Sequence, residues 1–259
     1  MPASVSRKVD VDGLCVPPFV SVLCYPSGSQ SEAQRRIISL KEMGVEALVF
    51  VGSIEVGGLK VLGKGHVGVV VECLWKGKRA ALKIRRTDAD RESLEREGEI
   101  LKESNRSKIG PVLFAASRDF IVMEELVGNN LVDWLKGSKD LADGAFRSIL
   151  TDICGLARLL DVAGVDHKEL SDPRRHVIIQ LDGRARVLDF ETAATGGRRR
   201  NVNDLLQYLT LSRPYGPIVL SRLGAEREEV LAALRAYRRS PDDDSYRTIL
   251  RSMKLAERP

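Results

Sequence analysis

The sequence predicts an α+β fold of two lobes with a small extension in front. Three observations predict it. Residues 59–126 fall into short β-prone runs split by turns, with one helical interruption. Beyond Gly128 apolar residues recur at helical spacing. The first 55 residues carry their own strand–helix–strand rhythm. The expected division is 1–55 for the extension, 56–127 for a five-stranded lobe with one helix, and 128–259 for a mainly helical lobe.

Within the extension, "FVSVLCY" (19–25) is apolar and β-prone, and "PSGS" supplies a turn. "SEAQRRIISLKEMG" follows, with Ala33, Ile37, Leu40 and Met43 at helical spacing. Ser31 is the expected N-cap and Gly44 the stop. "VEALVFVG" (45–52) then reads as a strand. The stretch 59–86 reads as three strands, the first pair joined at Gly63–Gly68 and the next at "KGKR". A helix is expected over 88–107, with Leu94, Ile100 and Leu101 on its apolar side, and two strands flank "SRD" within 112–126. In 141–164, Phe146, Ile149, Leu150, Ile153, Leu156 and Leu160 form one stripe. "HVIIQ" and "ARVLDF" alternate as a hairpin across "LDGR", and helices are expected over 201–211, 225–240 and 241–257. Ser240-Pro241 reads as a cap followed by a first-turn proline.

Composition bounds the possibilities. The chain has 259 residues, 43% hydrophobic and 30% charged, enough for a sizeable core. Its apolar runs, such as "ALVFV" at 47–51, are too short to span a bilayer, so no membrane partner is expected. Four scattered cysteines form no CxxC pair, and the first residues lack an apolar signal core. A reducing cytoplasm fits best. The formal net charge of +5 is modest, with local basic runs at "DPRRH" and "GGRRRN". Such runs are either solvated loops or contacts for an anionic partner.

Gly63, Gly65 and Gly68 form G-x-G-x-x-G, whose missing side chains let backbone N–H groups approach phosphate oxygens. A Rossmann turn would lead into a helix, whereas "VGVVVE" leads into a strand. A glycine loop between antiparallel strands is the protein-kinase form, although the pattern alone carries little weight. Lys83 lies on a strand twenty residues after Gly63, among Ala81, Leu82 and Ile84. Such a lysine either faces solvent or meets a carboxylate of the next helix. Glu97 is the favoured partner and Glu99 the competitor. "IVMEELVG" (121–128) resembles the hinge of a protein kinase, in which Met123 would back the adenine pocket. "HKELS" (167–171) and "DFE" (189–191) bring two carboxylates twenty residues apart, with His176 between them.

These motifs occur in one order on the expected element types, and together they resemble an archaeal predicted serine/threonine protein kinase of the small RIO/KEOPS-like, lipopolysaccharide-kinase-like kind. The residues carrying the resemblance are "HKELSDPRRHV", "DFE" and "RRNVNDLLQYL", and it covers 59 to about 212. It implies a protein-kinase-like two-lobed fold and transfer of the γ-phosphate of ATP to an unknown protein substrate. Lys83, held by Glu97, would orient phosphates beneath Gly63, Gly65 and Gly68. The Glu124 carbonyl and Leu126 amide would hydrogen-bond adenine. Asp189 would hold Mg²⁺ with His176 beside it, imidazole suiting Mn²⁺ better than Mg²⁺. Glu169 would act as base or orient the hydroxyl. Lys83 and Asp189 would meet at one triphosphate.

There are departures. Lys168 replaces a small or arginine residue, Ser171 a catalytic-loop lysine, and Glu191 the glycine of the metal motif. No A-P-E occurs, and about ten residues separate "DFE" from the next helix, too few for a long activation segment. The alternative is therefore an ATPase or nucleotide-binding scaffold working with RNA or a ribonucleoprotein. Arg198, Arg199 and Arg200 would supply that contact.

Overall fold

The computed structural model describes residues 7–196 and 200–256. Its contacts divide the chain into two units, Met1–Lys102 with Val112–Glu125 and Glu103–Pro111 with Leu126–Pro259.

The first unit opens with β1 (Arg7–Asp10), a 3-10 turn (Val11–Cys15), α1 (Val20–Leu23), α2 (Gln30–Glu42) and β2 (Val45–Phe50). Then come the hairpin β3 (Ile54–Val56) and β4 (Leu59–Val61), followed by β5 (Gly63–Lys64), β6 (Gly68–Trp75) and β7 (Lys78–Arg85). α3 (Glu95–Asn105) precedes β8 (Leu113–Ala116) and β9 (Phe120–Met123). One antiparallel sheet runs β1-β2-β6-β7-β9-β8, with β5 also paired to β6. The expected five strands thus become seven among the described residues, because β1 and β2 add to the β6 edge.

The extension shares the sheet's core. Leu14, Val22, Leu23, Ala33, Leu40 and Leu48 belong to the same buried cluster as Val71, Leu82, Phe120 and Val122. Arg36 of α2 is fully buried within this unit. Its guanidinium donates to the Leu23 and Arg85 carbonyls at 2.6 and 2.7 Å and meets Glu32 at 2.7 Å and Asp119 at 3.4 Å. A buried cation is tolerable only with such a complete set of acceptors.

Three local expectations are corrected here. The 19–25 run forms the helical turn α1, since a short apolar run does not distinguish strand from buried helix. The ladder position beside β2 is taken by β1 instead. The cap of α2 is Ser29, which accepts the Glu32 N–H at 3.1 Å, and Ser31 lies inside the helix. α3 starts at Glu95 rather than 88. Asp88 is held back by Arg86 at 2.7 and 2.8 Å, and the Ser93 hydroxyl accepts the Glu95 N–H at 3.0 Å.

The second unit begins with β10 (Gly128–Asn130), α4 (Leu131–Gly137), a 3-10 turn (Ser138–Asp140) and α5 (Asp143–Val162). β11 (Val165–Asp166), β12 (Val177–Gln180), β13 (Ala185–Val187) and β14 (Ala194–Thr195) follow. α6 (Asn201–Leu211), α7 (Tyr215–Leu223), α8 (Arg227–Arg239) and α9 (Asp243–Ser252) complete it. The expected hairpin is β12–β13, and β10 joins as a third strand on β12. Only glycine fits at 128, where a Cβ would stand 2.2 Å from the Ile179 oxygen. β11 pairs with β14.

The expected α5 stripe buries Phe146, Leu150, Ile153, Leu156 and Leu160. Leu205, Leu206 and Leu209 of α6 and Val230 and Leu234 of α8 are buried in the same unit. The cap of α9 is also corrected. Asp242 accepts the Ser245 N–H at 2.8 Å while Ser245 accepts the Asp242 N–H at 3.3 Å, a reciprocal box that outcompetes Ser240-Pro241. Among the described residues, no helix is long and apolar enough to cross a membrane.

Candidate functional site

In the first unit the glycine motif forms the β5–β6 turn. Gly65 N–H donates to the Gly68 carbonyl at 2.8 Å, closing it tightly. Gly68 stands beside Lys83: an added Cβ would lie 3.0 Å from Lys83 Cγ and from the Ile84 oxygen. Glycine here lets the turn press onto the lysine stem. At Gly63 a Cβ would find ordinary contact with Val70 at 3.6 Å, so that position needs glycine less.

Lys83 is 5% exposed, and its ammonium lies 2.7 and 2.9 Å from the two carboxylate oxygens of Glu97, itself 6% exposed. The apolar neighbours on β7 bury the stem, and the first turn of α3 brings the carboxylate. Glu99 points to solvent. A buried pair of this kind holds the ammonium in one place rather than adding much stability.

The extension reaches the same turn, a contact the sequence did not disclose. Lys64 donates to the Tyr25 hydroxyl at 2.6 Å and lies 4.6 Å from that ring's centroid. Arg86 sits 5.1 Å from the ring and donates to the Gly65 carbonyl at 3.1 Å. Tyr25 is itself fixed through its backbone carbonyl, which accepts the Thr87 N–H at 2.8 Å.

Glu124 is engaged with the segment before β8. Its N–H donates to the Val112 carbonyl at 2.8 Å, and its carboxylate accepts the Val112 N–H at 3.1 Å. The unit division falls after Glu125, so Leu126 belongs to the second unit. Both Glu124 and Leu126 are half-buried.

In the second unit the loop after β11 is built on a buried polar frame. Asp161, at the end of α5, accepts from the Asn201 backbone and side chain at 3.0 and 2.7 Å and from the Tyr237 hydroxyl at 2.8 Å. Burial pushes the Asp161 carboxyl up, against those hydrogen bonds. Asn201 in turn donates to the Val165 carbonyl at 2.7 Å and accepts the His167 N–H at 3.0 Å. The start of α6 therefore fixes the loop.

His167 is fully buried and its Nε2 lies 3.0 Å from the Leu188 carbonyl, so Nε2 carries the proton. Burial pushes its pKa down and keeps the ring neutral. It makes edge contacts with Phe190 and His176, at 5.3 and 5.6 Å between centroids. Lys168 and Asp189 both adopt left-handed backbone, with φ of 66° and 62°. Such conformations cluster at sites where geometry is over-determined.

Glu169, His176 and Asp189 come together. Their potential ligand atoms all lie within 4.8 Å of one another, and His176 Nε2 is 2.9 Å from Glu169 Oε2. Thr192 donates to Glu169 Oε1 at 2.7 Å and to the His167 carbonyl at 3.2 Å. Ligand atoms around one small divalent ion stand about 3–4.3 Å apart, so this cluster fits an ion with small side-chain adjustments. One imidazole and two carboxylates suit Mn²⁺ better than Mg²⁺. The resemblance implied His176 and Asp189 for metal and Glu169 as base or hydroxyl-orienting group; the structure brings all three into one cluster. Thr192 and Tyr25 were missed because a lone hydroxyl carries no motif, and Asn201 lay in "RRNVNDLLQYL" without an assigned role.

Arg200 is committed within this unit, 3.3 Å from Asp166 and 3.7 Å from Asp204. Arg198 and Arg199 lie outside the described residues. Ser171 is exposed beside Asp172, which Arg174 clasps through two contacts of 2.6 Å. A search of the sequence against protein-family models finds no match.

Proposed function

We propose that the chain is an ATP-dependent phosphotransferase, an atypical serine/threonine protein kinase. The observation that carries this is the Glu169–His176–Asp189 cluster, a carboxylate-rich group on a strained loop and suited to a divalent cation. The buried Lys83–Glu97 pair beside the glycine turn supports it. In this reading the turn receives phosphates on its backbone N–H groups, and Lys83 carries charge on the α- and β-phosphates. Asp189 and His176 would hold a divalent metal, with Glu169 as a third ligand, and the chemistry it would supply is neutralisation of phosphate charge. Glu124 and Leu126 offer backbone groups to the adenine. His167, neutral and buried, shapes the loop rather than exchanging protons.

A second reading, slow ATP hydrolysis or nucleotide-dependent scaffolding with an RNA or ribonucleoprotein partner, draws on one observation. Both Glu169 oxygens are engaged, by Thr192 and by His176, which disfavours Glu169 as acceptor of a proton from a protein hydroxyl.

Incubation with γ-labelled ATP and Mg²⁺ or Mn²⁺ separates these readings. Label on protein supports the kinase, and free labelled phosphate alone supports the ATPase. Asp189→Asn is expected to lower either turnover by about 100-fold or more, the order seen when a charge-stabilising group is lost. Turnover retained in the purified variant would remove the assignment.

A further inference from the structure

We propose that the groove beside the Glu169 loop seats the phosphate acceptor and selects an acidic peptide segment. This rests on the phosphotransferase reading and adds the substrate class.

Two cavities of about 430 Å³ each adjoin in the second unit and share Val132, Asp172 and Arg174 as walls. One is lined by His176, so a hydroxyl at that end stands beside the metal cluster. The other extends to Ser171, Tyr208, Arg213 and Tyr215. A group transferred at Glu169–His176–Asp189 needs its acceptor next to these residues, and the first of these cavities is lined by His176 itself.

Charge sets the class. Lys136, Arg174, Arg175 and Arg213 line the groove against Asp133 and Asp172. Asp172 is neutralised by Arg174 at 2.6 Å, and Asp133 by Lys136 at 3.3 Å. Arg175 and Arg213 have no ion pair among the described residues and carry the excess positive charge. Arg175 lies in the His176 cavity, at the acceptor end, and Arg213 in the adjoining one, farther along the groove. Val132, Pro214 and the two tyrosines give apolar walls for a polypeptide. The two cations left in excess, Arg175 and Arg213, are separated along the walls by the Arg174–Asp172 and Lys136–Asp133 pairs, a spacing that suits separate acidic side chains better than a continuous string of phosphodiesters.

The test uses fluorescent serine-containing peptides whose flanking residues are Glu, Gln or Lys. Binding to the full chain is read by anisotropy at low salt without nucleotide. The Glu-flanked peptide is expected to bind about tenfold tighter than the Gln-flanked one, and the advantage should shrink as salt rises. Arg175→Glu with Arg213→Glu should invert the order. Arg175→Gln with Arg213→Gln should erase it with the melting temperature kept. Equal binding of all three peptides, an unchanged order in the charge-reversed variant, or binding of a single-stranded oligonucleotide but not the Glu-flanked peptide would overturn the proposal. Label transfer is read separately. A Glu-flanked peptide that binds and is never labelled leaves the groove standing and removes the kinase reading; preferential labelling of the Lys-flanked peptide removes the groove alone.

Discussion

Thr192→Val tests whether the metal cluster is preorganised. The threonine hydroxyl donates to Glu169 Oε1 at 2.7 Å, while His176 holds the other oxygen at 2.9 Å. Valine keeps the branched shape and removes the donor; the shorter of the hydroxyl's two contacts, the 2.7 Å bond to the carboxylate, is worth about 1.5–3 kcal/mol. Part of that is regained when Glu169 rotates toward a bound ion. Loss of a partner that orients a ligand typically weakens metal binding 10–100-fold, and with His176 still in place the lower end, about tenfold, is expected. The assay is Mn²⁺ titration followed by electron paramagnetic resonance of the free ion, without nucleotide. Thr192→Ser, which keeps the hydroxyl, should retain most of the affinity. A change of less than about twofold in Thr192→Val would refute the reasoning, because a hydrogen bond that positions a ligand cannot be silent.

Further outcomes follow from the first unit and the loop. Arg36→Met strands buried acceptors and should lower unfolding free energy by about 3–5 kcal/mol in urea titrations; a loss below about 1 kcal/mol would contradict the view that the extension is integral to the sheet. The Glu32 carboxyl is held down to about 2, chiefly by its hydrogen bond from Arg35, with Arg36 adding to it against desolvation. The stability this carries is complete above the ordinary value of 4.5 and is lost as pH falls toward 2, so Arg36→Met should flatten that part of the acid titration. Tyr25→Phe removes the hydrogen bond from Lys64 and keeps the ring beneath its ammonium; amide exchange at the glycine turn should quicken, and ATP affinity should fall about two- to fivefold for the loss of ~0.5–1 kcal/mol. Unchanged exchange would show that the tyrosine does not restrain the turn. Lys168→Gly relieves a left-handed lysine by about 1 kcal/mol and gives back a similar amount of chain entropy, so its melting temperature should match the parent, whereas Lys168→Val should melt well below it.

Much of the fold was legible because periodicity and turn chemistry agree. α6 occupies the expected 201–211, and the β12–β13 hairpin follows from strict alternation across an Asp-Gly turn. Errors gathered where several candidates compete locally. "SGSQS" offers three serines, and only backbone geometry chose Ser29. The apolar run at 20–23 became a helical turn because sheet position is decided by distant strands, which no local pattern reveals. Of the candidate site, Lys83 with Glu97 was legible through the resemblance to protein kinases, in which the step from Glu97 to Ile100-Leu101 marks the carboxylate that meets the lysine. The merging of Glu169 with His176 and Asp189 was not, since it depends on how the loop folds over Asn201 and Thr192.

The measurement closest to the central claim is pulsed electron paramagnetic resonance of Mn²⁺ bound with an ATP analogue. If the Glu169–His176–Asp189 cluster receives the metal of a bound nucleotide, one ion should show both phosphorus coupling from phosphate and nitrogen coupling from His176. The nitrogen coupling should vanish in His176→Ala. With the analogue present, phosphorus coupling without nitrogen in the parent chain, or nitrogen coupling without phosphorus, would contradict the account.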